Sequence, residues 1–296
     1  MITENLEQTL TAYDAWLDRQ PLAAKTRIAY RLQVHQYGTY LAQRPATADD
    51  PLRTPFARDY AVRDYKTYLK TVRQAKPTSV NLALAAIDHF HQFIGNDRPH
   101  VQRESLPAQA PRALKPEEQK AFLRAIERTS SLRDKAIAEL LFYTAVRLAE
   151  CAALNLDDVH ISPRKGVVII RSGKGDTYRE VPLNAEVREA LQVWLKERNK
   201  RFSQTSDPAF FLNPKGKRLS ARAVDLIIRR IGTDAHLELS AHVLRHTCLT
   251  NLVRRGSDLV LVAEIAGHKR LETTRRYSLP SLEDREKAME GLEIEY

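Results

Sequence analysis

The chain has 296 residues, enough for two domains at roughly 100–200 residues each. Its 43% hydrophobic and 28% charged residues fit an ordinary folded protein, and a net charge of +10 with a pI near 9.6 points to a polyanionic partner, most often nucleic acid. Cys151 and Cys248 are the only cysteines, so neither a disulfide framework nor a zinc cluster is expected; with no secretion signal and no run of ~18 apolar residues, the expected location is the cytoplasm, with no membrane partner.

The first element is predicted from "LEQTLTAYDAWLDR", where Leu6, Leu10, Tyr13 and Leu17 recur at helical spacing. "KTRIAYRLQVHQYGTYLAQR" follows, with Ile28, Leu32, Tyr37 and Leu41 on a similar stripe. "ARDYAVRDYKTYLKTVR" is a third helix. A fourth, "KPTSVNLALAAIDHFHQFIG", has Pro77 at its start and Gly95 at its end, as helix termini prefer. Residues 1–104 therefore read as an all-helical domain. Tyr30, Tyr37, Tyr40, Tyr60, Tyr65 and Tyr68 recur there among basic residues. They form either core edges and solvated faces or a DNA-facing surface. In the second case Arg27, Arg31, Lys66, Lys70, Arg73 and Lys76 contact phosphates. Residues 105–112, "SLPAQAPR", hold two prolines and no apolar period, and read as a linker.

The second domain, 113–280, opens with "LKPEEQKAFLRAIER", a helix whose Pro116 and two glutamates suit its first turn. "LRDKAIAELLFYTAVRLAECAAL" is apolar enough for two buried helices. The period then changes in "GVVIIRSGKGDTYREVPL", where two β-branched runs flank a Gly-containing turn, a β-hairpin signal. Helices follow near 184–200, 220–232, 241–255 and 258–266. The fold class is thus mainly α with a small β-hairpin or sheet. Residues 105–280 carry 31 Lys and Arg against 20 Asp and Glu, whereas 281–296 form an acidic tail. Leu282, Met289 and Leu292 lie near one face of that tail, which packs either on its own domain or on a neighbouring protomer.

The chemistry concentrates in the second domain. Arg147 is flanked by apolar residues, so its charge must be paired or functional; Glu150, three residues on, could orient it or simply neutralise it. Lys174 sits at the hairpin tip in "SGKGDT". This stretch fails the phosphate-loop pattern because Gly175 follows the lysine, and no strand-to-helix transition surrounds it. In "AHVLRHT", His242 and Arg245 are three apart and face the same way on a helix. A guanidinium grips two phosphate oxygens, and an imidazole beside it can move a proton. His246 is expected to be a packing or helix-capping residue. His268 follows Gly267, and Tyr277 comes after Arg275 and Arg276. A phenol titrates near ~10, so a nucleophilic tyrosine needs cationic neighbours or a base.

Arg147, Lys174, His242, Arg245, His268 and Tyr277, in this order and spacing, resemble the tyrosine recombinase (phage integrase-like) family. The layout is similar to its Xer-like and transposon- or plasmid-encoded members. The resemblance covers residues 113–280 closely and the helical domain, like the family's core-binding domain, more loosely. Ala145 and Ala241 depart from it, standing where a Gly and a Pro are common. The resemblance implies an α+β catalytic domain and site-specific recombination of double-stranded DNA. Tyr277 would form a 3′-phosphotyrosyl bond, Arg147 and Arg245 would neutralise the phosphate, and Lys174 would protonate the leaving oxygen. His242 and His268 would hydrogen-bond the phosphate, and one of them could take the phenolic proton. It further implies a tetramer on two DNA sites, a Holliday junction, possible accessory DNA-binding proteins, and no cofactor or metal. A type IB topoisomerase and a non-catalytic DNA-binding protein are the competing readings.

Overall fold

The structure is a computed structural model that describes residues 2–43, 49–106, 112–171, 178–268, 270–279 and 289. The chain divides into two compact units, Met1–Pro107 and Ala108–Tyr296.

The first unit is helical. Its helices are α1 (Ile2–Asp18), α2 (Ala24–Ala42), α3 (Pro55–Thr71) and α4 (Pro77–Phe93). Both α3 and α4 begin with proline, whose missing N–H would have no intrahelical partner there. The predicted stripe of α1 is buried in full at Leu6, Leu10, Tyr13 and Leu17, and it packs with Val34 of α2 and with Ala86 and Phe90 of α4.

The stripe predicted for α2 needs correction. Ile28 and Leu32 are 63% and 54% exposed; of the stripe, Tyr37 is buried and Leu41 is partly buried against the core, and Val34 and Gly38 complete the buried face. The physical reason is close approach between helices. A Cβ on Gly38 would lie 2.8 Å from Cδ1 of Leu10, so the helix turns its smallest residue, not its leucine, toward α1. Tyr37 then joins Val62, Tyr65, Leu69, Val80 and Leu84 in a second cluster with α3 and α4.

The second unit contains α5 (Pro116–Arg128), α6 (Leu132–Thr144), α7 (Leu148–Ala153), β1 (Val159–Ile161), β2 (Gly166–Ile170) and β3 (Arg179–Pro182). Then come α8 (Ala185–Arg201), α9 (Ala221–Asp234), α10 (Ala241–Arg254), α11 (Leu259–Ala266) and α12 (Leu271–Arg275). The strands make a three-stranded antiparallel sheet in the order β1-β2-β3, with Val168 opposite both Val159 and Val181. The predicted hairpin is therefore β2–β3. The additional strand β1 is three residues long, too short to show an alternating pattern. The hairpin tip at 172–177, with Lys174, lies outside the described residues, as does the acidic tail apart from Met289.

Helix α6 is buried on every side from residue 136 to 142, which explains the mostly apolar run there. It packs against α8 and α10, and its Ala136, Ile137, Leu140 and Leu141 are fully enclosed. Its C-terminus is what positions the site. Ala145 ends it in the left-handed region at φ 53, and α7 starts three residues later at an angle that the break permits. No described helix is long and apolar enough to cross a membrane.

Candidate active site

Arg147 is the N-cap of α7, in extended backbone between the two helices. Its backbone N–H donates to Oε2 of Glu150 at 2.8 Å and its Nη1 donates to Oε1 at 2.7 Å. Nη2 donates to the carbonyl of Gly267 at 2.8 Å. The side chain is about one-third exposed, at 35%, so the guanidinium is held from behind while one side faces solvent.

Glu150 is buried and doubly held. Arg179, at the start of β3, donates from Nη1 and Nη2 to its two oxygens at 3.0 and 2.7 Å. Burial alone would raise the Glu150 carboxyl, but the hydrogen bonds from Arg179 and Arg147 override it and hold the group at about 2. The carboxylate therefore stays ionised. Nε of Arg179 also donates to the carbonyl of Ile265 at 3.0 Å, tying β3 to the end of α11. Sequence reasoning missed Arg179. A lone arginine leaving a hairpin reads as a solvated charge, and only the three-dimensional meeting of β3, α7 and α11 reveals its partners.

Arg245, in α10, is 5% exposed. Its Nη1 donates to the carbonyl of Ala145, and its Nη2 donates to that of Ala266 at 2.7 Å. Burial, reinforced by the charge of Arg147, brings this guanidinium down to about 10, still cationic at neutral pH. Arg147 and Arg245 thus grip consecutive carbonyls, Gly267 and Ala266, at the C-terminus of α11. That helix end carries partial negative charge and unsatisfied acceptors, which suits two cations.

His268 follows directly. Gly267 caps α11 at φ 62, and a Cβ there would stand 3.0 Å from Nη1 of Arg179, so the turn needs glycine twice over. Nε2 of His268 lies 3.1 Å from Nη2 of Arg245 and its Nδ1 lies 2.8 Å from Oγ1 of Thr274. A guanidinium only donates, so Nε2 must accept and Nδ1 must carry the proton. Burial, with Arg245, Arg147 and Arg179, pushes this imidazole down to about 4 and keeps it neutral.

Tyr277 comes just after α12 and is 7% exposed. Its ring is parallel to that of His268, with centroids 6.1 Å apart and 6° between planes. Burial raises the phenol above its usual range, although Arg245, Arg276 and Arg147 oppose it. Cationic neighbours alone do not ionise it.

His246 packs on Tyr277 as expected, with ring centroids 5.4 Å apart, and it makes two polar contacts besides. Its Nδ1 lies 2.7 Å from the Tyr277 hydroxyl and its Nε2 lies 2.7 Å from Nε2 of His242. The i, i+4 spacing puts His242 and His246 on one face of α10, and Tyr277 closes on that face. Burial, followed by the cationic neighbourhood, pushes His246 down to about 3, and His242 is lowered for the same reasons.

The six arginines and lysines singled out in the first unit are placed differently. Arg27 donates to the Leu22 carbonyl at 2.7 Å, and Arg31 pairs with Asp14 and Asp18. Lys66 and Lys70 share Glu104 at 2.8 and 3.0 Å. Arg73 lines a cavity with Tyr40, Tyr65 and Tyr68, and Lys76 precedes α4. Four of the six have partners inside their own unit.

Residues 112–282 match the family model described as the phage integrase family. The chain belongs to that family, the tyrosine recombinases. It is 32% identical over 278 residues to tyrosine recombinase XerC of Roseiflexus castenholzii, spanning 88% of this chain and 85% of the relative. It is 28% identical over 229 residues to the TnP I resolvase of Bacillus thuringiensis, spanning 74% of this chain and 78% of the relative. Among solved structures, XerA recombinase covers 98% of this chain, with 100% of its own length matched, at 25% identity and a TM-score of 0.55. XerH bound to its difH substrate in a pre-cleavage complex shares the fold at a TM-score of 0.71 and 22% identity, over 91% of this chain and 80% of that one.

The two departures from the family pattern have backbone explanations. A Gly in place of Ala145 would adopt the left-handed conformation without strain. Ala241 is the first residue of α10, after the N-cap Ser240, the position where proline is favoured.

Proposed function

We propose that this tyrosine recombinase cuts and rejoins double-stranded DNA at specific sites, with Tyr277 as the nucleophile. The observation that carries the reading is the pair of guanidiniums on consecutive carbonyls of α11, with His268 and Tyr277 beside them. Two fixed cations side by side suit one phosphate group. The non-bridging oxygens gain charge when the phosphate becomes pentavalent, so donors already in place stabilise that state without reorganising. Arg147 and Arg245 take this role. Glu150 and Arg179 hold Arg147 in position.

The reaction is an exchange of esters. The phenolic oxygen of Tyr277 bonds to phosphorus, the bond from phosphorus to the 5′-oxygen breaks, and a 3′-phosphotyrosine remains. Lys174 delivers a proton to the leaving 5′-oxygen. A second 5′-hydroxyl then displaces the tyrosine and joins the strand to a new partner. One phosphoester replaces another, so the bond energy is retained and no nucleotide cofactor is required. His242 donates a hydrogen bond to the phosphate as it is transferred, and His268 accepts from Arg245 and helps hold that guanidinium in place. Four protomers on two sites, active in pairs through a Holliday junction, would complete the exchange.

The test is covalent trapping. The probe is a duplex that the protein selects from a random-sequence pool, synthesised with a nick close to the cleavage position so that the released fragment diffuses away. The wild type is expected to give a protein–DNA adduct on a denaturing gel, and Tyr277→Phe none. An adduct that persists in Tyr277→Phe removes this nucleophile, and a wild type that binds the selected duplex without ever forming an adduct is a DNA-binding protein instead.

A further inference from the structure

We infer that His246 is the base that takes the phenolic proton of Tyr277, and that His242 is the second link in a proton path leading to solvent. The inference rests on Tyr277 being the nucleophile and identifies what deprotonates it.

Geometry eliminates the other imidazoles. His268 stacks on the Tyr277 ring, and both of its nitrogens are engaged, one by Arg245 and one by Thr274. His242 reaches the phenol only through His246. Among the described residues, Nδ1 of His246 is the nitrogen in contact with the Tyr277 oxygen, at 2.7 Å. The second contact fixes the direction. Two Nε2 atoms 2.7 Å apart need one proton between them. With that proton on His246, its Nδ1 is bare and accepts from the phenol. A phenol is a better donor than acceptor to imidazole, so this tautomer is favoured.

The transfer balances. As the bond from the Tyr277 oxygen to phosphorus forms, its proton moves to Nδ1 of His246. The proton on Nε2 of His246 passes to Nε2 of His242, which becomes the imidazolium. The leaving 5′-oxygen receives a different proton, from the general acid. On resealing, every transfer runs backward. His246 is half-buried and His242 is exposed, so the net effect is to carry a proton from a buried phenol to the surface. The new positive charge arises on the residue assigned to the phosphate, where the substrate's negative charge stabilises it.

The surroundings support this. His242 and Arg245 on α10, Arg276 beside the nucleophile, and His268 after α11 all face His246, and burial together with these groups keeps it neutral in the DNA-free protein. Its Nδ1 lone pair is therefore free to take the phenolic proton, and a bound phosphate offsets the smaller, cationic part of its lowering, burial being the larger part.

The experiment measures single-turnover adduct formation on the selected nicked duplex. His246→Gln keeps a hydrogen-bond acceptor but cannot hold a proton; it is expected to fold with the wild-type melting temperature and to cleave roughly 100-fold more slowly. His246→Gly is expected to regain at least part of its rate when free imidazole is added. A duplex with sulfur in place of the bridging 5′-oxygen, whose thiolate leaves without a proton, should rescue Lys174→Ala but not His246→Gln. The inference is overturned if His246→Gln cleaves at the wild-type rate from acid to alkaline pH, if imidazole leaves folded His246→Gly unchanged, or if the sulfur substrate restores His246→Gln. Failure of the wild type to form any adduct would instead remove the nucleophile itself.

Discussion

Arg179 shows how a single buried side chain can brace the groups around it. It closes a buried carboxylate between two guanidiniums and pins a carbonyl of α11. Arg179→Met would leave Glu150 buried with one cationic partner, so a loss of about 3 kcal/mol is expected. Urea denaturation should show it as a lower midpoint, together with slower adduct formation because Arg147 is no longer braced. Arg179→Lys should not restore the site, since an ammonium cannot supply the paired donors of a planar fork. Arg147, His242, Arg245, His268 and Tyr277 were legible because each is an unusual residue for its local context and the set comes in order. Arg179 and His246 were not. The partners of Arg179 are 29 and 86 positions away along the chain, and the role of His246 depends on Tyr277, 31 positions away. Nothing local marks Arg179, and the only local mark of His246 is its i, i+4 spacing from His242.

At the level of elements, the sequence was read most accurately where one face alone is buried. Helix α1 buries the residues its spacing indicates. Helix α2 does so only at Tyr37 and, in part, Leu41, because α1 and α4 both pack on it and Gly38 is favoured over larger residues at the contact. The short elements β1 and α12 escaped notice for another reason. Five residues or fewer complete too little of either period to register. The end of α11 is the element on which the site depends most. Gly267→Ala would force a side chain into the left-handed region, costing about 1–2 kcal/mol, and would press on Arg179, which three acceptors hold in place. Calorimetry should record a lower melting temperature. Adduct formation should fall further than that loss of stability explains, because His268 follows the displaced turn.

For the molecule as a whole, the surplus of +10 predicts strongly salt-dependent DNA binding. With 6–10 phosphate contacts, raising salt from about 50 to about 200 mM should weaken binding by roughly 1000-fold or more, as measured by fluorescence anisotropy on the selected duplex. Part of that charge is held in reserve, since Glu104 engages Lys66 and Lys70 and is itself held below the usual carboxylate range by them. If those lysines face DNA, Glu104→Gln should tighten binding and steepen the salt dependence; unchanged binding would assign both to the solvated face. The twin grip on Ala266 and Gly267 has a wider consequence. Successive carbonyls are spaced by covalent geometry, with neighbouring α-carbons ~3.8 Å apart, so the peptide chain itself acts as the ruler between two guanidinium charges. Exposed side chains along α11 could be exchanged wholesale, and the ruler would keep its length.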